Sequence, residues 1–193
     1  FPNGIFVEGF VTLTPTGGDE SVVLSLPYMG FFGDWADAPL FDATAYSGEE
    51  PNVTDMWLGI FDNRTGGGWQ LGTPLYGEGY GKVYDANKIA ITSDISKNVT
   101  AVCALLRSTE SLTYSVEDIS GSLVYSETTK QASKSYYHGN DIFYTPMAEK
   151  GFIPKDEWNQ NLSDGEYVYK VTGTVDGETQ TVSFPLWIDN EKP

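Results

Sequence analysis

A nucleophile needs a base beside it, and this chain holds one histidine, His138, and one cysteine, Cys103. His138 lies in Tyr136-Tyr137-His138-Gly139-Asn140-Asp141, a polar stretch that reads as a solvated loop. Cys103 is flanked by Val102, Ala104, Leu105 and Leu106. That is the neighbourhood of a buried strand, where a thiol behaves as a small core side chain, and nothing marks it as activated. A single thiol cannot close an internal disulfide, and one Cys with one His is too few for a zinc site.

Oxygen ligands are more plentiful. Asp34, Asp37 and Asp42 share a Gly/Pro-bearing loop, and Asp62-Asn63 and Asp85 with Asn87 add further donors of the kind hard cations take. Calcium is therefore the cofactor to consider. The spacing matches neither an EF-hand nor a nonapeptide repeat, and each Asp is equally explained as a turn former or cap. Nothing singles out a carboxylate pair for glycoside hydrolysis.

Six aromatics, Trp57, Phe61, Trp69, Tyr76, Tyr80 and Tyr84, crowd one stretch. Flat rings stack on sugars, so Trp57, Trp69, Tyr76 and Tyr80 define the binding surface to test. The competing reading is that they pack this stretch against a neighbouring domain. Sequons stand at Asn52, Asn63, Asn98 and Asn161.

A formal net charge of −16 with only 11 Lys and Arg argues against nucleic acid, which needs clustered cations. The acidity serves solubility or attracts a basic ligand. No 18-residue apolar run is present, so no membrane-spanning helix is expected. Aromatics at 14% with 21 Gly and 10 Pro suit strands joined by turns. The 193 residues allow one large or two small domains. Neither Phe1-Pro2-Asn3 nor Asp189–Pro193 reads as a leader or an anchor; the ends look like those of a fragment.

The positioning elements follow from periodicity. Phe6–Thr14 alternates apolar and polar residues, Pro15–Asp19 turns, and Val22–Pro27 returns, which predicts a hairpin. Residues 34–87 are aromatic and Gly-rich, with short strands expected at Asp55–Phe61 and Tyr80–Tyr84. Beyond Lys88 come strand patterns at Ile89–Thr92, Val99–Leu106, Leu112–Asp118, Leu123–Glu127, Glu166–Thr174 and Thr179–Asp189. Ser135–Asn159 reads mostly as loop, with Phe143-Tyr144 extended and one helical turn at Lys155–Trp158. Asp176-Gly177 between two β runs predicts a type I′ hairpin turn. The whole predicts an all-β chain: an immunoglobulin/fibronectin-III-like antiparallel β-sandwich over 88–193, preceded by a β-hairpin over 1–33 and a packed segment over 34–87. Its expected core is Val102, Leu105, Leu112, Tyr114, Val116, Val124, Tyr167, Tyr169, Val171, Val182 and Phe184. Trp35, after the bend at Gly33-Asp34, is expected to be buried between hairpin and sandwich.

Several blocks resemble one family. Pro27-Tyr28-Met29-Gly30-Phe31-Phe32-Gly33-Asp34-Trp35 and Ala38-Pro39-Leu40-Phe41-Asp42 resemble the junction after the first fibronectin-like module of Gram-positive cell-envelope subtilisin-like proteases, the lactocepin and C5a peptidase family. Ile89-Ala90-Ile91-Thr92-Ser93, Leu105-Leu106-Arg107-Ser108, Leu162–Tyr169 and Trp187-Ile188-Asp189 with Pro193 are similar to motifs of the second such module. The chain departs from the family at Thr92–Lys97, where the family often has a polar Ser-Pro-Asn-Gly-Asp-Gly-like turn, and at Trp158-Asn159-Gln160, near where a Trp-Asp-Gly element often stands.

The resemblance implies a secreted or cell-wall-attached parent with a serine endopeptidase domain. An absence of disulfides suits that setting. Subtilase catalysis needs Asp, His and Ser, with the Ser after Gly-Thr. This chain has no Gly-Thr-Ser, so it carries no catalytic residue. The implied role is a non-catalytic spacer that supports the protease domain, contacts neighbouring modules and offers surface to protein substrates. The alternative is a carbohydrate- or host-protein-binding β-sandwich.

Overall fold

The computed structural model describes residues 4–16, 23–35, 37–62, 67–72, 85–93, 97–143 and 148–191. The chain forms two compact units, Phe1–Pro39 and Leu40–Pro193. The fold is all-β, as expected; the one helical element among the described residues is the 3₁₀ turn Ala86–Lys88.

The first unit is a hairpin of β1 (Ile5–Leu13) and β2 (Leu24–Phe32), antiparallel from Ile5↔Phe32 to Leu13↔Leu24. The return strand is longer than expected, because the apolar run continues from Tyr28 to Phe32. Pro27 is tolerated within it because both strands of a two-stranded sheet are edge strands, the setting in which a proline is accommodated. Strand alternation puts Ile5, Val7, Val11 and Leu13 on one face with Leu24, Leu26, Tyr28 and Phe32. The opposite face mixes Phe6, Phe10 and Phe31 with Glu8, Thr12 and Ser25. Trp35 differs from expectation. Its ring is 40% exposed and packs edge-on against Phe6 at 5.8 Å and Phe31 at 5.0 Å. Gly4 makes that cluster possible, since a Cβ there would lie 2.1 Å from the Phe31 ring.

In the second unit the chain first makes β3 (Trp57–Phe61) and β4 (Gly68–Gln70). Next come β5 (Ala90–Ile91), β6 (Asn98–Val102), β7 (Thr109–Asp118) and β8 (Leu123–Ala132). A small hairpin, β9 (Tyr136–His138) with β10 (Asp141–Phe143), precedes the long pair β11 (Gly165–Val175) and β12 (Glu178–Ile188). One sheet has the order β5-β12-β11-β7-β8, another the order β4-β3-β6. Among the described strands all pairings are antiparallel except β5 with β12, where Trp187↔Ala90 and Ile188↔Ile91 run parallel; an isolated bridge between Thr44 and Met56 is also parallel. Asp176 and Gly177 have φ of 51° and 80°, the left-handed pair a type I′ turn requires.

The core matches the alternation. Val102, Leu105, Leu112, Tyr114, Val116, Tyr167, Tyr169, Val171 and Phe184 are all buried, and Val124 and Val182 pack partly buried against them. Leu40, Met56, Leu58, Ile89, Val99, Phe152, Leu186 and Ile188 complete it. Leu40 reaches the core because β11 has Gly173 opposite it; a Cβ there would lie 2.3 Å from Leu40 Cδ2. Leu40 N also donates to Gln180 Oε1 at 3.0 Å, and its carbonyl accepts from Leu106 N at 2.8 Å.

Three local expectations are corrected. The central strand ends at Val102, because Leu105 instead bridges to Phe41. The stretch from Ser135 contains the β9–β10 hairpin, where Asp141 pairs with His138 across a Gly139-Asn140 turn. Lys155–Trp158 makes no helical turn: Asn159 N donates to Asp156 O at 3.0 Å to close a β-turn, and a bridge between Lys155 and Asn161 holds the chain on either side of it. The expected strand at Tyr80–Tyr84 lies outside the described residues.

Candidate functional site

Cys103 follows β6 and is fully buried. Burial pushes its thiol from 9.0 up to about 12, against a hydrogen bond with the Tyr114 side chain that works the other way. At neutral pH it is a protonated core side chain, as its neighbours indicated. His138 ends β9 on the exposed surface. The hairpin that carries it is tied down by Tyr137, whose hydroxyl donates to Val53 O at 2.6 Å.

The acidic candidates serve the backbone. The Asp42 carboxylate is buried and accepts from Ala43 N at 2.9 Å, Asn52 N at 2.8 Å, Asn52 Nδ2 at 3.1 Å, Val53 N at 2.6 Å and Thr54 N at 3.2 Å. Burial alone would raise its pKa. The donors, led by the N–H groups of Asn52 and Val53, outweigh burial and hold it below the ordinary 3.8. Asp42 thus closes the loop to Thr54 like a clasp. Asp55, beside it, is shifted upward by burial and by the Asp42 charge. Asp85 caps the 3₁₀ turn by accepting from Asn87 N at 3.0 Å. Asp34 and Asp37 belong to the hairpin unit, where Asp37 N donates to Asp34 O at 3.2 Å. Asp62 N pairs with Gly67 O at 2.9 Å, and Asn63 lies outside the described residues. Among the described residues, no three His, Cys, Asp or Glu side chains gather where a metal ion could be held.

The structure does not bring the two candidate tryptophans onto one surface. Trp57, Gly59 and Phe61 share one face of β3, and the Trp57 and Phe61 rings stack at 5.8 Å across Gly59. A Cβ on Gly59 would lie 2.5 Å from the Trp57 ring, and one on Gly68 2.5 Å from Phe61. Trp69 pairs with Ile60 and therefore lies on the other face of the sheet. It is 58% exposed, with Lys97 Nζ 4.1 Å above its ring. Tyr76, Tyr80 and Tyr84 lie outside the described residues. Of the sequons, Asn98 is buried and donates to Lys150 O at 2.6 Å, while Asn52 is held by Asp42.

Two structural carboxylates escape sequence reading. Glu127 on β8 accepts from the Tyr125 hydroxyl at 2.9 Å, from Lys150 N at 3.1 Å and from Glu149 N, fixing the loop before Phe152. Asp118 organises the β7–β8 turn by accepting from Ser120 N at 2.8 Å and Ser122 N at 2.9 Å. The Asp-x-Ser-x-Ser spacing was the available signal for the second; the partners of Glu127 are too distant in sequence to leave one.

No protein-family model matches the chain. Curated relatives do. The chain is 28% identical over 202 residues to a PI-type proteinase of Lactococcus lactis subsp. cremoris, covering 97% of this chain and 10% of that protein. It is 30% identical over 203 residues to a PII-type proteinase of Lacticaseibacillus paracasei, again 97% of this chain and 10% of the relative. A PIII-type proteinase of L. lactis subsp. cremoris strain SK11 is 28% identical over 205 residues, with the same shares. The chain thus spans about a tenth of the length of these relatives. Along nearly all of its length, then, this chain is homologous to a stretch of the cell-envelope proteinases that its junction and module motifs resemble.

Proposed function

We propose that this chain is a non-catalytic accessory region of a cell-surface subtilisin-like protease, holding its neighbours in place and presenting surface to protein substrates. The observation that supports this best is the near-complete match to a short stretch of much longer proteinases. The chemistry agrees. The one thiol is buried and protonated, and the one imidazole sits on a surface hairpin whose sequence offers no Gly-Thr-Ser. The hairpin β1–β2 belongs, in this reading, to a preceding module whose strands cover the face bearing Ile5, Val7, Leu24 and Leu26. Two strands alone are marginal in water, and these four side chains are exposed. Attachment to the cell wall is part of the same proposal.

Residues 1–193 should leave casein intact over a time in which an active subtilase degrades it, and His138→Ala should change nothing. Removing an assembled triad member costs several orders of magnitude, so any real activity dependent on His138 would be unmistakable. Cleavage that disappears in the variant would overturn the reading.

A further inference from the structure

Trp158 is the most exposed of the chain's tryptophans, at 75%. It is not on a loose loop. Asp156 Oδ1 accepts from Trp158 N at 2.9 Å and Gln160 N at 2.7 Å. Asp156 N donates to Gln160 O at 2.9 Å, Asn159 N to Asp156 O at 3.0 Å and Leu162 N to Pro154 O at 3.2 Å. Asn159 takes the left-handed conformation, φ 61°, that lets the chain reverse so tightly. Lys155 Nζ is held by Asn161 Oδ1, and Pro154 is buried at the base. The backbone around the indole is thus fixed before any ligand arrives, so little ordering entropy is lost on contact.

The chemistry of the turn selects the ligand. Its acidic members are Asp156 and Glu157, its one cation is already engaged, and the chain as a whole carries −16. An indole face attracts a cation, more strongly where neighbouring charge is negative. The fold already contains one such contact, Lys97 over Trp69. A sugar would also stack, with the Glu157 and Asn159 side chains as hydrogen-bonding groups, but the acidic pair Asp156 and Glu157 favours a cationic partner over a neutral one. The N–H groups of Trp158, Asn159 and Gln160 are spent within the turn, and Gln160 Nε2 donates to Trp158 O at 3.3 Å.

We propose that the Pro154–Leu162 turn is a docking point for a basic segment of a polypeptide partner, with Trp158 receiving a lysine or arginine side chain. This extends the accessory reading, and its failure would leave that reading standing, since that one is tested by proteolysis and not by binding. The experiment is calorimetric titration of the 193-residue chain with a synthetic peptide of alternating lysine and serine. Binding should weaken about fivefold in Trp158→Ala, the scale of an exposed cation–π contact. It should be largely kept in Trp158→Phe and unchanged in Trp69→Ala, whose ring already holds Lys97. Added salt should weaken it further. Equal affinity in Trp158→Ala with the fold intact by circular dichroism, or no binding at low salt, would overturn the proposal. So would a Trp158-dependent affinity for an N-acetylglucosamine tetramer that exceeds the affinity for the peptide.

Discussion

The β1–β2 hairpin and the β11–β12 hairpin are built to the same pattern and end up in opposite environments. Both alternate along their strands and both pair in unbroken antiparallel register. In β11–β12 the apolar set, Tyr167, Tyr169, Val171, Phe184, Leu186 and Ile188, is buried beneath a second layer. In β1–β2 the face formed by Ile5, Val7, Val11, Leu13, Leu24, Leu26, Tyr28 and Phe32 remains 37–71% exposed. Alternation therefore encodes which side chains share a face, while a second layer decides whether that face leaves water.

The sharpest way to break the contrast is a matched pair of truncations. Phe184→Ala should cost about 3–5 kcal/mol, because it removes a fully buried ring and leaves a cavity. Phe10→Ala, at 71% exposure, should stay within about 0.5 kcal/mol. Urea midpoints at unchanged slope would report both; similar losses at the two sites would show that the hairpin is better covered than it looks.

A second test concerns polar closure. Asp42→Ala leaves the N–H groups of Ala43, Asn52, Val53 and Thr54 without their acceptor and should cost up to about 3 kcal/mol. The native contribution depends on pH in a defined direction. Asp42 titrates lower in the folded chain than its ordinary 3.8. The unfolded chain binds that proton first, so the stabilisation is complete above 3.8 and is lost as pH falls through the folded value. Acid titration of stability should therefore be flatter in Asp42→Asn than in the parent, and identical profiles would count against the clasp.

The smallest expected effect sharpens the packing side. Gly173→Ala places a Cβ against Leu40 Cδ2, with the next atoms at an ordinary 3.5 Å. Leu40 can shift slightly, so the cost should be about 1 kcal/mol, the low end for overpacking. The double variant Gly173→Ala with Leu40→Ala should recover part of the Leu40→Ala loss; strict additivity would mean the two residues do not meet in solution.

Much of the sandwich could be read in advance because its signals are local. Residues 112–116 and 167–171 alternate cleanly, and Asp176-Gly177 fixes its own turn. What was hidden depends on distant partners. Leu40 is apolar within a Pro-flanked loop, and only the gap at Gly173 makes it a core residue. Lys155–Trp158 follows a proline and looks helical, yet Asp156 finds better donors in Trp158 and Gln160 and folds the segment back. The aromatic stretch at 57–69 was legible as aromatic but not as two-faced, because the face of Trp69 follows from its register with Ile60.

The solitary thiol of Cys103 gives this molecule an internal stopwatch. Because burial keeps it protonated and out of reach, an alkylating reagent at mildly alkaline pH can attack only during moments when the β6 end separates from Tyr114. The alkylation rate would then count those openings directly, and with no second cysteine in the sequence every modified molecule would date the same event.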